Sequence, residues 1–507
     1  MKHTIKNKRA RRAAAVAALA LSAALLHGAD ARAWTRQQYS SGTREFDVTG
    51  SAVNGLISGF SASDGGAAYL TGTGARLRLY GDGDLTVRNN SATSRGGAFR
   101  SYGTLTIDIN GALAFLNNTA GNPGGAIIAS SGTVSLAAKE ITFSYNKTTN
   151  LGGGAIFSTA RSFGLTAQDN ITFMGNSARG AGGAIKVESG TFDLKATDNI
   201  TFTGNSAGSS GGALHLQDSA TATLTAAENI TFTGNSAGET GGALYLRDSA
   251  SATLKAAENI TFTDNSVGTQ GGALSVVNSS SVSFTAKNVI FSKNKTSIYQ
   301  GAIYLYGNAA ATLTAAENIT FTDNSAGTTG GAIWLGNNSS VTLNAKNITF
   351  ADNTASKVGG ALNADAGSRA VLNVENDLTV TGNKVTGGNG GGLRAGSNSA
   401  ARFSSISVTA DTIAFTNNEA HRGSYAGAGG AVRTHGNAEQ TYTARGTITF
   451  RGNRVDDYGG AVYSDGESDV AAPHGVVCRR RRHHVCRQRG QRVRRRRRHK
   501  ALKHTAS

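Results

Sequence analysis

A phenylalanine returns along this chain at Phe202, Phe232, Phe262, Phe291, Phe321 and Phe350, in steps of 30, 30, 29, 30 and 29 residues. A fixed period of that length means a solenoid, a propeller or an array, so the repeat constrains the fold before any local motif does. The unit is clearest between Asn229 and Ala257. Ile230-Thr231-Phe232, Leu244-Tyr245-Leu246 and Ala222-Thr223-Leu224-Thr225-Ala226 alternate apolar and polar residues. A period of two sets Ile230, Phe232, Leu244, Leu246 and Leu224 on one face and the threonines on the other. Gly-Asn-Ser-Ala-Gly and Asp-Ser-Ala runs separate these segments and are turn formers. No amphipathic helical spacing interrupts them. Three short strands in about 30 residues fit one coil of a parallel β-helix, whereas a propeller blade needs about four strands in roughly 40–50 residues. The expected fold is therefore all-β, a single-stranded right-handed parallel β-helix with three short strands per coil.

Stacked coils turn repeated residues into columns about 4.8 Å apart. Asn170, Asn199, Asn229, Asn259, Asn288, Asn318 and Asn347 form one column, just before each Phe strand. Asn176, Asn205, Asn235, Asn265, Asn294, Asn324 and Asn353 form a second, three residues after each Phe. Amide side chains are expected to bond along such columns, and asparagine tolerates a tight turn. Beside the first column, Glu258, Lys287, Glu317 and Lys346 alternate in sign, which favours neighbouring coils pairing in this register. Asp198, Glu228 and Glu258 are like charges in succession, read as solvated rather than as a cation site. The recurring Asn-Ile-Thr matches a glycosylation sequon, but in a column of turns it reads as structure.

Residues 1–33 have the form of a secretory signal. A basic stretch from Lys2 to Arg12 precedes the apolar run Ala13 to Leu26, and Ala31-Arg32-Ala33 offers a small-x-small cleavage site. Residues 34–470 are the repeat domain. Its first copies are degenerate, with Val87 and Phe115 at the Phe position. Its last are widely spaced, with Val380, Phe415 and Phe450 separated by 35 and 35 and with His421 to Ala426 expected in a loop. Fourteen GGA-like starts from Gly65 to Gly459 predict a rod of about 65–70 Å.

The formal net charge of +18 belongs to the ends. The first 33 residues carry +6 and residues 478–507 carry +14, which leaves −2 for residues 34–477. Taken at face value, Arg494–Arg498 is a polyanion-binding patch. Back-translated and read one nucleotide forward, however, His483–Gln488 can give Ile-Thr-Phe-x-Gly-Asn, and Val493–Lys500 can give Gly-Gly-Gly-Ala-Ile. The hidden Phe falls 35 positions after Phe450, matching the preceding step. Residues 471–507 are accordingly read as out-of-frame translation and disordered, with no nucleic acid expected unless this tail is genuine. Both cysteines, Cys478 and Cys486, lie there, so the body has neither disulfides nor thiolate metal sites, which suits a chain exported unfolded through an oxidising compartment.

Gly153, Gly182, Gly211, Gly241, Gly271, Gly330 and Gly359 each open a GGA[IL] tetrad. Paired glycines supply positive φ or close backbone approach without any ligand. From Gly65 to Tyr463, GGA[ILV] alternates with F-x-x-N, and this pair of motifs resembles the passenger region of the chlamydial polymorphic membrane proteins. Those are autotransporter-type surface proteins, considered adhesins. The resemblance implies a signal peptide, a β-helical passenger, and a C-terminal outer-membrane β-barrel; no barrel-like run of alternating strands follows the repeats here, so the chain reads as truncated before it. Cell-surface, outer-membrane or secreted location is expected, or periplasmic if truncation blocks translocation. A host-cell receptor or glycan is the expected partner, with no cofactor and no metal. Binding candidates carried by the motifs are Gly241, Gly242, Ala243, Leu244, Phe232, Asn235, Gly330, Gly331, Phe321 and Asn324.

The alternative is a secreted polysaccharide lyase or hydrolase on the same scaffold, which needs paired carboxylates or a calcium–arginine site. Glu228, Glu258 and Glu317 recur with the repeat and read as scaffold. The non-repeating polar residues cluster at His421-Arg422 and Arg433-Thr434-His435 and read as exposed surface. No catalytic residue is assigned.

Overall fold

The computed structural model describes residues 34–49, 55–397, 402–423, 427–464, 467–471 and 476–478. Residues 1–33, expected to be a leader, lie outside the described residues, as do 424–426 of the expected loop; of the expected disordered tail, 471–507, only Ala471 and 476–478 are described, and Val476–Cys478 is a strand paired with Ile448–Phe450. Within the described residues the chain winds as a right-handed parallel β-solenoid of about 14 turns, and none of them is helical.

One coil shows how the sequence closes a turn. The strand Leu244–Leu246 follows the glycine pair, Ser251–Ala256 forms the next wall, and Asn259–Thr263 carries the phenylalanine. A fourth strand of two residues, Ser266–Val267, then leads to the next glycine pair. The expectation of three strands per coil is corrected here: the first three walls join a 41-stranded sheet, and the short fourth strands, two residues long in all but the first two coils, form a 14-stranded sheet of their own. Two residues are too few to display a period-two pattern, which is why this wall reads as a turn in the sequence.

Neighbouring strands among the described residues are parallel, and in register apart from shifts at Tyr39/Ser41, Ala62/Asp64 and Ala286/Asn288. Leu244 pairs with Leu274, Leu254 with Phe284, and Phe232 with Phe262. The columns therefore exist as physical stacks. Phe115, Phe143, Phe173, Phe202, Phe232, Phe262, Phe291, Phe321 and Phe350 lie face to face, with centroids 4.6–5.1 Å apart. Val380 interrupts the stack and pairs Phe350 with Phe415 in register. Each ring is buried, and burying a phenylalanine contributes about 2–3 kcal/mol against leaving it in water.

The asparagine after each Phe strand is fully buried, from Asn118 to Asn418. Asn235 shows the geometry. Its Nδ2 donates to Asn265 Oδ1 at 3.0 Å and to the Phe202 carbonyl at 3.0 Å, and its backbone N–H donates to the same Asn265 Oδ1. The turn that this residue was expected to tolerate sits one position earlier. Gly234 has φ +63° and Asp264 φ +56°, while the asparagine itself points inward. A corner needs both a left-handed residue and a group that satisfies inward-facing amides, and two adjacent residues divide these tasks. The outer column, Asn170 to Asn347, also forms an amide ladder but runs the other way. Asn259 Nδ2 donates back to Asn229 Oδ1 at 2.7 Å, and Lys287 Nζ meets Glu258 at 3.3 Å beside it.

Candidate functional site

The ten motif residues build the wall of the solenoid. Phe232, Asn235, Ala243, Leu244, Phe321 and Asn324 are fully buried, and Gly241, Gly242, Gly330 and Gly331 are buried with them. Gly241 adopts φ +63°. A Cβ on Gly242 would stand 2.0 Å from the Gly272 carbonyl oxygen, so the second glycine is required by the packing of one coil on the next. What these positions do is set the direction and spacing of the strand that follows.

That strand differs from the others on its outer side. On the Phe strand, Thr201, Thr231, Thr261, Thr320 and Thr349 share the outward column, with Ile290 among them. The middle wall shows mostly serine and threonine, as in Thr223, Thr253, Ser283 and Thr312. After the glycine pair the outward residue changes from coil to coil: Arg100, Ile128, Phe157, Lys186, His215, Tyr245, Ser275, Tyr304, Trp334, Asn363, Arg394 and Arg433. Although directed away from the core, most of these side chains are buried or nearly so. They lie in a furrow running along the rod.

Three stretches of the furrow differ in chemistry. Toward the N-terminal end, Arg100 is paired with Asp64 at 2.6 Å and lies between the rings of Tyr69 and Tyr102, 4.6 and 5.1 Å from their centroids. Next comes a cleft of about 420 Å³ lined by Tyr102, Pro123, Ile128, Leu151, Phe157 and Lys186 among others. Lys186 is held by Glu188 at 2.7 Å and lies over Phe157.

The middle stretch is aromatic and largely neutral. His215 is held at an edge to Tyr245 with ring centroids 4.9 Å apart, and its Nε2 meets Gln217 at 3.0 Å. Burial, aided by the nearby Lys186 charge, pushes the imidazole down to about 3, so it is neutral at pH 7. Tyr304 and Trp334 are stacked at 5.1 Å and 6°, and Tyr306 completes a three-ring group at 6.2 and 6.3 Å. Burial raises the Tyr304 phenol above its ordinary range, so it remains a neutral hydroxyl. Gly336 makes room for the indole, since a Cβ there would fall 2.1 Å from the Trp334 ring. Toward the C-terminal end, Arg394 reaches Asn363 Oδ1 at 2.7 Å and Asp365 at 3.4 Å, and Arg433 lies over Tyr463 at 5.0 Å.

The two non-repeating clusters noted in the sequence part company. Arg433 belongs to the furrow and Thr434 is buried. His421 stands on the corner, with Nε2 3.0 Å from Glu419 and Nδ1 3.5 Å from Asp456, and Arg422 donates its backbone N–H to Asp456. The furrow itself was missed by sequence reasoning. Its signal was present as the one position after GGA[ILV] that refuses to repeat.

Fold and surface together define a class: an elongated parallel β-solenoid on an alternating GGA and F-x-x-N repeat, with one strand face individually varied. Seven stretches of the chain match the Chlamydia polymorphic membrane protein repeat: residues 170–188, 199–217, 229–247, 259–277, 318–336, 347–365 and 447–465. Each match runs from the Phe strand through the outer end of the next GGA strand. The coil left out between 277 and 318 is the one in which a single Gly301 replaces the glycine pair. No curated protein and no solved structure matches the chain.

Proposed function

We propose that this chain is the passenger of an exported surface protein and acts as an adhesin, holding a partner on a host cell without turning it over. Proteins built of this repeat are autotransporter-type surface proteins, and a β-solenoid suits such a passenger because nearest-neighbour stacking lets it fold coil by coil. The observation that carries the reading is the contrast between faces. Serine and threonine recur along two walls, while the face after the glycine pair presents a different aromatic, cationic or amide side chain on each coil. A repeat that only had to stack would gain nothing from that variety.

Beads coated with the repeat domain, residues 34–470, are the direct test. They are expected to adhere to cultured epithelial cells in a saturable manner, and soluble domain is expected to compete. Failure of coated beads to exceed uncoated ones would remove the adhesin reading. The same protein incubated with plant and host polysaccharides tests the lyase alternative. Appearance of unsaturated oligosaccharides, abolished by one substitution at a non-repeating acid such as Asp365→Asn, would establish that alternative in its place.

A further inference from the structure

The geometry points to the middle of the furrow, from Tyr245 to Asn363, as a binding site for a neutral oligosaccharide chain, an inference that rests on the adhesin reading and gives its partner a chemical class. Tyr304, Tyr306 and Trp334 form a stacked aromatic platform, with Tyr306 40% exposed and Trp334 half-buried. Stacked between one coil and the next, these rings cover one another on one side and offer their edges and the remaining outer faces, an apolar surface with a polar rim against which the C–H face of a sugar ring can lie.

Polar atoms without partners within the protein occur at several places along the rod, and four of them flank this platform. Ser275 Oγ, Gln300 Oε1, Thr329 Oγ1 and Asn363 Nδ2 are buried and have no hydrogen-bond partner within the protein. They occupy successive coils on the row and its glycine-side flank. Buried polar atoms are normally paired, so four on adjacent coils call for an explanation. They mix hydroxyl, carbonyl oxygen and N–H, which matches ligand hydroxyls that both donate and accept. Ser275 is buried between its column neighbours Tyr245 and Tyr304, so a ligand reaches it only if a neighbouring side chain moves. The coil spacing, read from the phenylalanine stack as 4.6–5.1 Å, is of the order of one sugar unit, so a chain laid along the rod meets a similar step at each residue.

Two features select this ligand over others. The strands beneath are hydrogen-bonded on both sides, as Leu274–Val277 is to Leu244–Leu246 and Ile303–Tyr306, which leaves no free edge for an added peptide strand. The cations of the furrow stand toward its ends, and Arg100, Lys186 and Arg394 each have a carboxylate partner, so the aromatic stretch carries no unpaired positive charge to select an anionic chain.

The test uses the intrinsic fluorescence of the repeat domain. The sequence has two tryptophans, Trp334 in the furrow and Trp34, which is buried in the core near the start of the described chain. Chitohexaose, cellohexaose and maltohexaose are titrated separately, with a heparin-derived hexasaccharide as the charged comparator. At least one neutral hexasaccharide is expected to change the emission saturably. Trp334→Ala should weaken its binding, measured calorimetrically, by about tenfold or more, Trp334→Tyr should restore much of it, and Gly336→Ala should weaken it by displacing the indole. Circular dichroism of each variant separates lost binding from lost fold. Binding of the heparin fragment alone, of none of the four, or equal binding by a folded Trp334→Ala would overturn the inference. Bead adhesion measured in the presence of the binding hexasaccharide keeps the two readings apart. Adhesion that neither the sugar nor Trp334→Ala reduces removes the sugar site as the adhesive surface and leaves the adhesin. Sugar binding by a domain that adheres to nothing does the reverse.

Discussion

Asn265 Oδ1 accepts two hydrogen bonds from Asn235, one from its side chain and one from its backbone, both at 3.0 Å. The same arrangement repeats along the corner from Asn90 to Asn453. Each asparagine satisfies both the corner it occupies and the one before it, so no member is independent. Asn235→Ala leaves the Asn205 amide and its side-chain N–H without their acceptor and the Phe202 carbonyl without a donor. The expected loss is about 2–4 kcal/mol, because orphaned buried groups cost their full desolvation. Urea unfolding of the repeat domain measures it, with hydrogen exchange expected to show the weakening centred on the coils around Asn235. An unchanged midpoint would mean that water replaces the ladder.

Two glycines one corner apart should respond in opposite ways. Gly242→Ala drives a methyl to 2.0 Å from the Gly272 carbonyl oxygen, a backbone atom that cannot step aside without separating the coils. That variant is expected to lose cooperative folding of its region. Gly234 has nothing within 4 Å of its would-be Cβ, and its φ of +63° is shared by Asp264 at the equivalent corner. Gly234→Ala should cost about 1–2 kcal/mol, and Gly234→Asp less, because aspartate tolerates the left-handed region better. Melting temperatures of the three proteins rank them.

The glycine period, the Phe ruler and both asparagine columns gave the coil, its register and its ladders before any coordinates, because a solenoid converts sequence period directly into contact. What escaped was of two kinds. The strand Ser266–Val267 is too short to carry a pattern, and its pairing with Ser236–Ala237 comes from its place between two fixed corners. The furrow escaped for the opposite reason. Reading a repeat means attending to what recurs, and Tyr245, Ser275, Tyr304 and Trp334 share a column without sharing chemistry. That Trp334 overlies Gly336, or that Ser275 is covered, depends on side-chain directions that no period encodes.

His215 gives the rod a pH dependence that its exposed charges do not. Burial holds its folded pKa near 3, below the ordinary value of 6.5 in the unfolded chain. The unfolded state therefore binds a proton first, and stability must fall as pH drops below about 6.5, continuing until the folded site itself protonates near 3. Between pH 7 and pH 5 the expected loss is about 2 kcal/mol, from roughly 1.4 kcal/mol per pH unit. Comparing His215→Gln with the parent by urea unfolding at both values isolates this residue from the other histidines. The variant should lose less stability on acidification, and equal losses would place the titration elsewhere.

Removing one whole coil tests the fold at its deepest assumption, that each turn knows only its neighbours. Asn229 pairs with Asn259, Phe232 with Phe262 and Leu244 with Leu274, so deleting residues 229–258 joins Glu228 to Asn259 at an equivalent point. Every column then closes over the gap. Phe202 meets Phe262, Asn205 meets Asn265, and His215 receives Ser275 where Tyr245 stood. The loss of that ring exposes His215, so the pH dependence described above should shrink in the same protein. A shortened rod is expected, with the longest dimension in small-angle scattering reduced by about 4.8 Å and the unfolding transition still cooperative, since the stability of a repeat array is a sum of local terms. A deletion of fifteen residues, half a coil, keeps the composition but puts Phe strands against Thr-rich walls, and it should not fold. If both deletions unfold alike, the coils are not exchangeable units and the register is set by something longer-ranged than the contact between one turn and the next.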